Sequence, residues 1–238
     1  MILATHGILA NAVPSSTLNT NLYAVYKAES NANDSLGVYN GTATGGLTYS
    51  AGKFGNAFTF NGSNAGVSLP NNSLNLTGNY SVSYWVYFAS DPSGITPYIL
   101  HSWNASTNVG MEYRIRTGKP EINYYVNGGL FTSWYNSGVL ITTSGWYHLA
   151  FTHAGGAAPK FYYNGVLKTS GIRVSNATVY EASYTSPSIC SIGYNNQTLT
   201  NYMPNNSKID ELNIWNKELT AAEITELYNS GSGKFYPY

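Results

Sequence analysis

Nine consecutive residues, Tyr80 to Phe88 (YSVSYWVYF), carry only aromatic, β-branched and serine side chains. Aromatic and β-branched groups fit a pleated surface better than a helix, so the run reads as a strand. It is too apolar on both faces for a sheet edge. The same grammar recurs along the chain. Met111 to Arg116 alternates, with Met111, Tyr113 and Ile115 on one face and Glu112, Arg114 and Arg116 on the other. Glu121 to Val126 alternates likewise after the turn Thr117-Gly118-Lys119-Pro120. Phe54–Phe60 and Val67–Leu69 flank the turn Asn61-Gly62-Ser63-Asn64, a hairpin or loop signal. Further strands are expected at 138–142, 146–152, 160–163, 166–169, 189–194 and 208–215. Short strands at regular intervals with turn residues between them predict an all-β, antiparallel two-sheet sandwich.

One short C-terminal helix is expected. Thr220-Ala221-Ala222-Glu223 forms a capping box, Leu219 and Ile224 can make the hydrophobic staple, and Ile224, Leu227 and Tyr228 share a face. Gly231 is expected to supply the left-handed stop. Residues 1–20 lack periodicity and end in Pro14-Ser15-Ser16-Thr17, which reads as an N-terminal arm or linker ahead of one domain over 21–238.

Composition narrows the function classes. Eleven basic and eleven acidic residues cancel, and charged residues make up 9% of the 238, against about 25% in an ordinary domain. Without a basic excess there is no electrostatic footprint for nucleic acid. With 43% hydrophobic and 15% aromatic residues the chain can pack a core and is not a disordered segment. The single Cys190 excludes an internal disulfide, and its alternating surroundings Ser188-Ile189-Cys190-Ser191-Ile192 mark it as a buried strand residue. No run approaches a membrane span. Met1–Pro14 lacks the positive start and long apolar stretch of an export signal, which fits synthesis in a cytoplasm without the common route of export. The Asn-x-Ser/Thr triplets, as at Asn40, Asn75, Asn104 and Asn176, are what chance produces in an Asn- and Ser/Thr-rich chain.

Several pieces together resemble a known family. Phe60-Asn61-Gly62-Ser63 with Val67, then Tyr80 to Val86, then Trp146-Tyr147-His148-Leu149-Ala150-Phe151-Thr152, Phe161-Tyr162-Tyr163-Asn164-Gly165, and Ile209 to Trp215 running into Leu219-Thr220 and Glu223-Ile224 follow the order and spacing of the laminin-G-like (pentraxin-like) branch of the concanavalin A-like lectin/glucanase jelly rolls. The resemblance implies a jelly-roll β-sandwich over about 21–232, a fold that hosts lectins, glycosidases, adhesion modules and spacers, so function rests on the site. It implies that Trp85, Trp146 and Trp215 are core residues and that His148 is a hydrogen-bonded structural histidine. It also marks Asp210 as the acidic position that in relatives can hold a structural calcium, and no other cofactor is implied. Asn61 stands where relatives often have Asp, which removes one anionic oxygen from that region. The other reading of Asp210 is a carboxylate that accepts backbone or hydroxyl hydrogen bonds and holds the corner between helix and sheet.

The chemistry of an enzyme is hard to find. Retaining glycosidases of this superfamily carry Glu-x-Asp-x-x-Glu on one strand, and that pattern is absent. Glu112 and Glu121 are the only acids near the presumed concave sheet, and pairing with neighbouring arginines at the surface is their expected role. His6, His101, His148 and His153 lack metal-ligand spacing. A binding surface is better supported. Trp103, Trp134, Tyr125 and Tyr135 supply aromatic faces for sugar rings, and Arg114, Arg116 and Asn123 supply planar polar groups on an outward face.

The expectation is a non-enzymatic decoration or adhesion protein of a tailed-phage virion, assembled in host cytoplasm. It would bind surface glycans or sister virion proteins, without nucleic acid or membrane insertion, as a homo-oligomer that protects its sheet edges. Two alternatives stand beside it: an extracellular, secreted or surface bacterial carbohydrate-binding module, and a glycosidase with unrecognised catalytic acids.

Overall fold

The structure, a computed structural model, describes residues 16–126, 130–168, 172–173 and 188–238, with the side chains of 126, 130–136 and 172–173 excepted. Sixteen strands are present among them: β1 (Leu22–Tyr26), β2 (Thr42–Thr44), β3 (Thr48–Ala51), β4 (Asn56–Thr59), β5 (Gly66–Leu69), β6 (Tyr80–Phe88), β7 (Tyr98–Asn104), β8 (Val109–Arg116), β9 (Lys119–Val126), β10 (Leu130–Asn136), β11 (Gly145–His153), β12 (Lys160–Tyr163), β13 (Val166–Lys168), β14 (Ile172–Arg173), β15 (Ile189–Ile192) and β16 (Lys208–Trp215). One helix, α1 (Ala221–Tyr228), follows. The strands form two antiparallel sheets. The first runs β13-β12-β11-β6-β16-β4-β3, with β1 also pairing β16, and the second runs β14-β10-β9-β8-β7-β15-β5-β2. This is the jelly-roll sandwich expected from the sequence, with one short C-terminal helix.

Alternation decides what fills it. On β6, at the centre of the first sheet, Tyr80, Val82, Tyr84, Val86 and Phe88 belong to the main core, where Met111, Tyr113 and Ile115 of β8 meet them from the second sheet. Tyr84 meets Tyr113 edge to face at 5.5 Å, and Tyr113 meets Phe151 at 4.6 Å. The other face of β6 is covered too. Trp85 stacks on Tyr228 of α1 at 5.9 Å, and Ser83 hydrogen-bonds Nε2 of His148 at 2.8 Å. Burial holds His148 neutral, with its pKa lowered to about 3, so its role is structural. Cys190 is buried on β15.

A second cluster joins Leu18, Ala150, Tyr162, Trp215, Leu219, Ile224 and Leu227. It pins α1, whose capping box is formed as expected. Leu18 is fully buried, and the indole N–H of Trp215 donates to its carbonyl at 2.7 Å. Residues 16–20, read from the sequence as the end of an arm, are therefore packed on the sandwich; residues 1–15 lie outside the described residues.

Local details differ from expectation for identifiable reasons. Residues 138–142 form a loop instead of a strand, because the Ile141 amide bonds the Gly118 carbonyl of a hairpin turn. The helix is stopped by Asn229, in the left-handed conformation at φ 45°, two residues before Gly231. Trp146 is half-buried against Tyr87 and is not a core residue. Strand β7 escaped the alternation rule because a register shift between Tyr98 and Leu100 turns both Ile99 and Leu100 to the core.

Asn61 also has a local reason. Its Oδ1 accepts from the amides of Ser63, Asn64 and Ala65, while Nδ2 donates to the Gly45 carbonyl at 2.8 Å. An aspartate has no N–H for that last bond. Among the described residues no helix is long and apolar enough to cross a membrane.

Candidate functional site

Strand register assembles a polar stripe across the outward face of the second sheet. Ser68 stands opposite Ser191, Ser191 opposite His101, His101 opposite Glu112, Glu112 opposite Asn123, and Asn123 opposite Trp134. One flanking row is Trp103, Gly110 and Tyr125; the other is Tyr98, Arg114 and Glu121. Ser68, Ser191, Glu112 and Asn123 are on this face because their neighbours along the strands, Val67 and Leu69, Cys190 and Ile192, Met111 and Tyr113, Ile122 and Tyr124, fill the core.

The centre of the stripe is a hydrogen-bonded network. Glu112 accepts from Tyr98 Oη at 3.0 Å, Arg114 Nη1 at 3.0 Å, Asn123 Nδ2 at 2.8 Å and Tyr125 Oη at 2.9 Å. Arg114 also donates through Nε and Nη2 to Glu121 Oε1, at 2.8 and 2.6 Å. Burial raises the pKa of Glu121, and Arg114 opposes that rise.

The two acids were expected at the surface. They pair with arginine, but Glu112 is 5% and Glu121 1% exposed. Buried carboxylates persist only when paired and hydrogen-bonded, and Arg114 satisfies both at once. A general acid must give up a proton on demand. Carboxylates fixed to one guanidinium are suited to holding Tyr98, Asn123 and Tyr125 in place.

Beside the network three polar atoms are buried without a partner among the described residues: Nε2 of His101, Nε1 of Trp103 and Oδ1 of Asn123. Burial lowers the His101 pKa. Nδ1 of His101 contacts Asn196 Oδ1 at 2.6 Å. In the tautomer that lets Nδ1–H donate to this oxygen, Nε2 is left as an acceptor. These buried atoms are thus one N–H donor and two acceptors. Leaving such groups unpaired costs about 1–3 kcal/mol each. Hydroxyl groups, which donate and accept, match this set.

The aromatic component is Trp103 and Tyr125, which meet edge to face at 5.0 Å. Gly110 lies between them, and a Cβ there would come within 2.9 Å of the Trp103 ring.

Of the residues expected in a binding set, Trp103, Arg114, Asn123 and Tyr125 come together here. Arg116 is exposed at the end of β8, opposite Lys119 and away from the stripe's centre. Trp134 stands opposite Asn123 and Tyr135 opposite Ile122, and their side chains lie outside the described residues. Sequence reasoning missed Tyr98, His101 and Asn196. The first two sit on the bulged β7, and Asn196 reaches His101 from a loop 95 residues away.

Asp210 accepts backbone hydrogen bonds, as its second sequence reading has it, but from the turn between β3 and β4 and not at the corner between helix and sheet. Its Oδ2 accepts from the amides of Lys53 and Phe54 at 2.7 and 3.0 Å. Burial raises its pKa to about 7, and burial together with Asp210 raises Glu211 to about 8. Calcium takes six to eight oxygens. Among the described residues no group of three or more Asp, Glu, His or Cys side chains converges to hold a metal. Oδ1 of Asp210 and both carboxylate oxygens of Glu211 are buried without a hydrogen-bond partner among the described residues, and oxygens are the ligands calcium takes.

Comparison with known proteins agrees with this architecture. The profile of the concanavalin A-like lectin/glucanases superfamily matches residues 61–225. Domain 4 of AbnA, an extracellular GH43 arabinanase from Geobacillus stearothermophilus solved with arabinotriose, is 27% identical, with a TM-score of 0.64 over 86% of this chain and 97% of that one. The binding domain of Paraclostridial Mosquitocidal Protein 1 is 19% identical, with a TM-score of 0.65 over 89% of this chain and 52% of that one. That of botulinum neurotoxin DC, solved with rat synaptotagmin II, is 16% identical, with a TM-score of 0.65 over 88% and 51%. The chain thus spans about half of each toxin domain, and at these identities the likeness is one of fold. No curated protein matches the sequence. By profile, topology and fold, the chain belongs to the concanavalin A-like lectin/glucanase superfamily.

Proposed function

We propose that the protein is a non-enzymatic carbohydrate-binding domain that holds a neutral saccharide on the outward face of its second sheet. The observation that carries this reading is that three buried polar atoms without partners among the described residues, on His101, Trp103 and Asn123, lie on neighbouring strands beside the Trp103–Tyr125 ring pair. The rings suit the C–H-rich face of a sugar, and the donor and acceptors suit its hydroxyls. The arabinotriose complex of the 27% identical arabinanase domain supports the same ligand class. Arg114, bonded to both Glu112 and Glu121, supports binding over hydrolysis.

Calorimetric titration with neutral oligosaccharides, arabinotriose among them, tests this reading. Trp103→Ala and Asn123→Ala are each expected to weaken binding at least tenfold while the circular dichroism stays that of the wild type. No binding by the wild type, or equal binding by both variants, would overturn it. Polysaccharide turnover that is lost in Glu112→Gln would overturn the non-enzymatic part.

For the setting we propose the surface of a tailed-phage virion, where a charge-poor, homo-oligomeric head would decorate the particle or attach it to host glycans. The low charge content, 9%, supports uncharged contacts with sugars and sister subunits. A secreted or surface carbohydrate-binding module is the second setting, favoured by the likeness to a domain of an extracellular arabinanase. Capsid and tail genes beside the coding sequence would support the first, and polysaccharide-utilisation genes would replace it with the second.

A further inference from the structure

A pocket of about 320 Å³ opens at the loop end of the sandwich, between the segment before β7 and the loop joining β15 to β16. None of its seven lining residues is charged; Pro97 and Pro204 form apolar walls, while Thr96, Asn201 and Tyr202 bring a hydroxyl, an amide and an aromatic ring. Its volume lies at the lower end of small-molecule sites.

The loop carrying Asn201 and Tyr202 is built rigidly. Met203 is fully buried, and its amide donates to the Gly193 carbonyl at 2.9 Å. Asn195 and Thr200 form an isolated bridge, and the Asn195 side chain accepts from the amides of Gln197 and Thr198. The Tyr98 amide donates to the Asn201 carbonyl at 3.1 Å, tying the loop to β7.

Tyr202 is stacked on Tyr194 with centroids 5.4 Å apart and planes at 13°. Tyr194 is itself held against Gly66, where a Cβ would come within 2.3 Å of its ring. Leu199 and Asn201 adopt left-handed backbone conformations, at φ 52° and 53°. That strain is costly for a leucine, and Leu199 is 64% exposed. A fixed aromatic ring beside an exposed amide, with prolines around and no charged side chain to pair an ionic group, fits a neutral saccharide.

We propose that this pocket is a second saccharide-binding site, separate from the stripe of His101, Trp103 and Asn123. It rests on the carbohydrate-binding reading for its ligand class and on its own residues for its location. Proton–nitrogen correlation spectra of the whole chain, titrated with arabinotriose and with neutral hexose oligosaccharides, test it. The amides of Thr96, Asn201 and Tyr202 are expected to shift along with the Trp103 indole. Tyr202→Ala should weaken the pocket shifts at least tenfold and leave the Trp103 titration unchanged. Asn201→Gly, which keeps the left-handed backbone without strain, should do the same if Tyr202→Ala fails to fold. Shifts confined to the Trp103 set would overturn the pocket and leave the carbohydrate-binding face standing. Shifts confined to the pocket would uphold it and overturn the face, and shifts in neither would overturn both.

Discussion

The indole of Trp103 meets the ring of Tyr125 edge to face, with 84° between their planes. One strand, β8, lies between theirs, and they meet because Gly110 on that strand leaves the space between them empty. A side chain at 110 would come within 2.2 Å of the Ser102 carbonyl oxygen and 2.9 Å of the indole. Gly110→Ala is therefore expected to cost about 1–3 kcal/mol of stability, the range for overpacking. It should also weaken saccharide binding by displacing Trp103. Urea unfolding and calorimetric titration of the one variant check both parts.

Arg114 serves two buried carboxylates. Its side chain is 13% exposed, and those of Glu112 and Glu121 are 6% and 2%. Arg114→Met leaves both charges uncompensated and should cost about 3–5 kcal/mol, as for breaking a buried pair. The triple variant with Glu112→Gln and Glu121→Gln should recover a measurable part of that loss. Equal stability of single and triple variants in denaturant would contradict the coupling.

Leu18 distinguishes a docked segment from an arm. It is fully buried in the cluster beneath α1. Leu18→Ala should cost about 2–5 kcal/mol, the usual cost of truncating a buried leucine to alanine. A free arm would lose nothing, so thermal unfolding of this variant is decisive.

The stability contributed by Asp210 and Glu211 should fall as pH rises from about 4 to about 8. That of His148, lowered by burial from 6.5 to about 3, is present above 6.5 and lost as pH falls through 3. Burial raises Asp210 from 3.8 to about 7, and burial with Asp210 raises Glu211 from 4.5 to about 8. Between the unfolded and folded values the native state binds more protons, so raising the pH favours unfolding. The contribution is complete below about pH 4 and lost as pH passes the folded values. Glu223 acts in the opposite sense. Burial works against its charge, but Lys217, Thr17 and Thr220 outweigh it and hold its pKa at about 2. Its contribution is present above 4.5 and lost as pH falls through 2. Glu211→Gln should flatten the melting temperature between pH 5 and 8 and leave the acid limb unchanged.

Much of the fold was legible because it depends on short-range pattern. The alternation of Met111, Tyr113 and Ile115 against Glu112 and Arg114 assigned faces correctly, and Thr220 with Glu223 located the helix. The site was half legible for the same reason. Asn123 and Tyr125 lie on the face that period two predicts. His101 and Trp103 both follow a bulge that resets the period on a strand the sequence pattern did not mark, and Trp103 was legible only as an aromatic residue. Nothing near Asn196 in the chain indicates that its amide meets that histidine.

The sequence by itself determined the architecture: two antiparallel sheets, a capped helix, and a surface with few charges. Those follow from side-chain period, turn chemistry and composition, each a property of neighbouring residues. Only the tertiary structure decided which groups are left without partners. Glu112 and Glu121 read as surface acids until Arg114 is seen to join them in a buried network. The open valences of His101, Trp103 and Asn123 exist because strands distant in the chain are brought into register. Whether a buried polar atom is satisfied depends on everything around it in space, which no local pattern records.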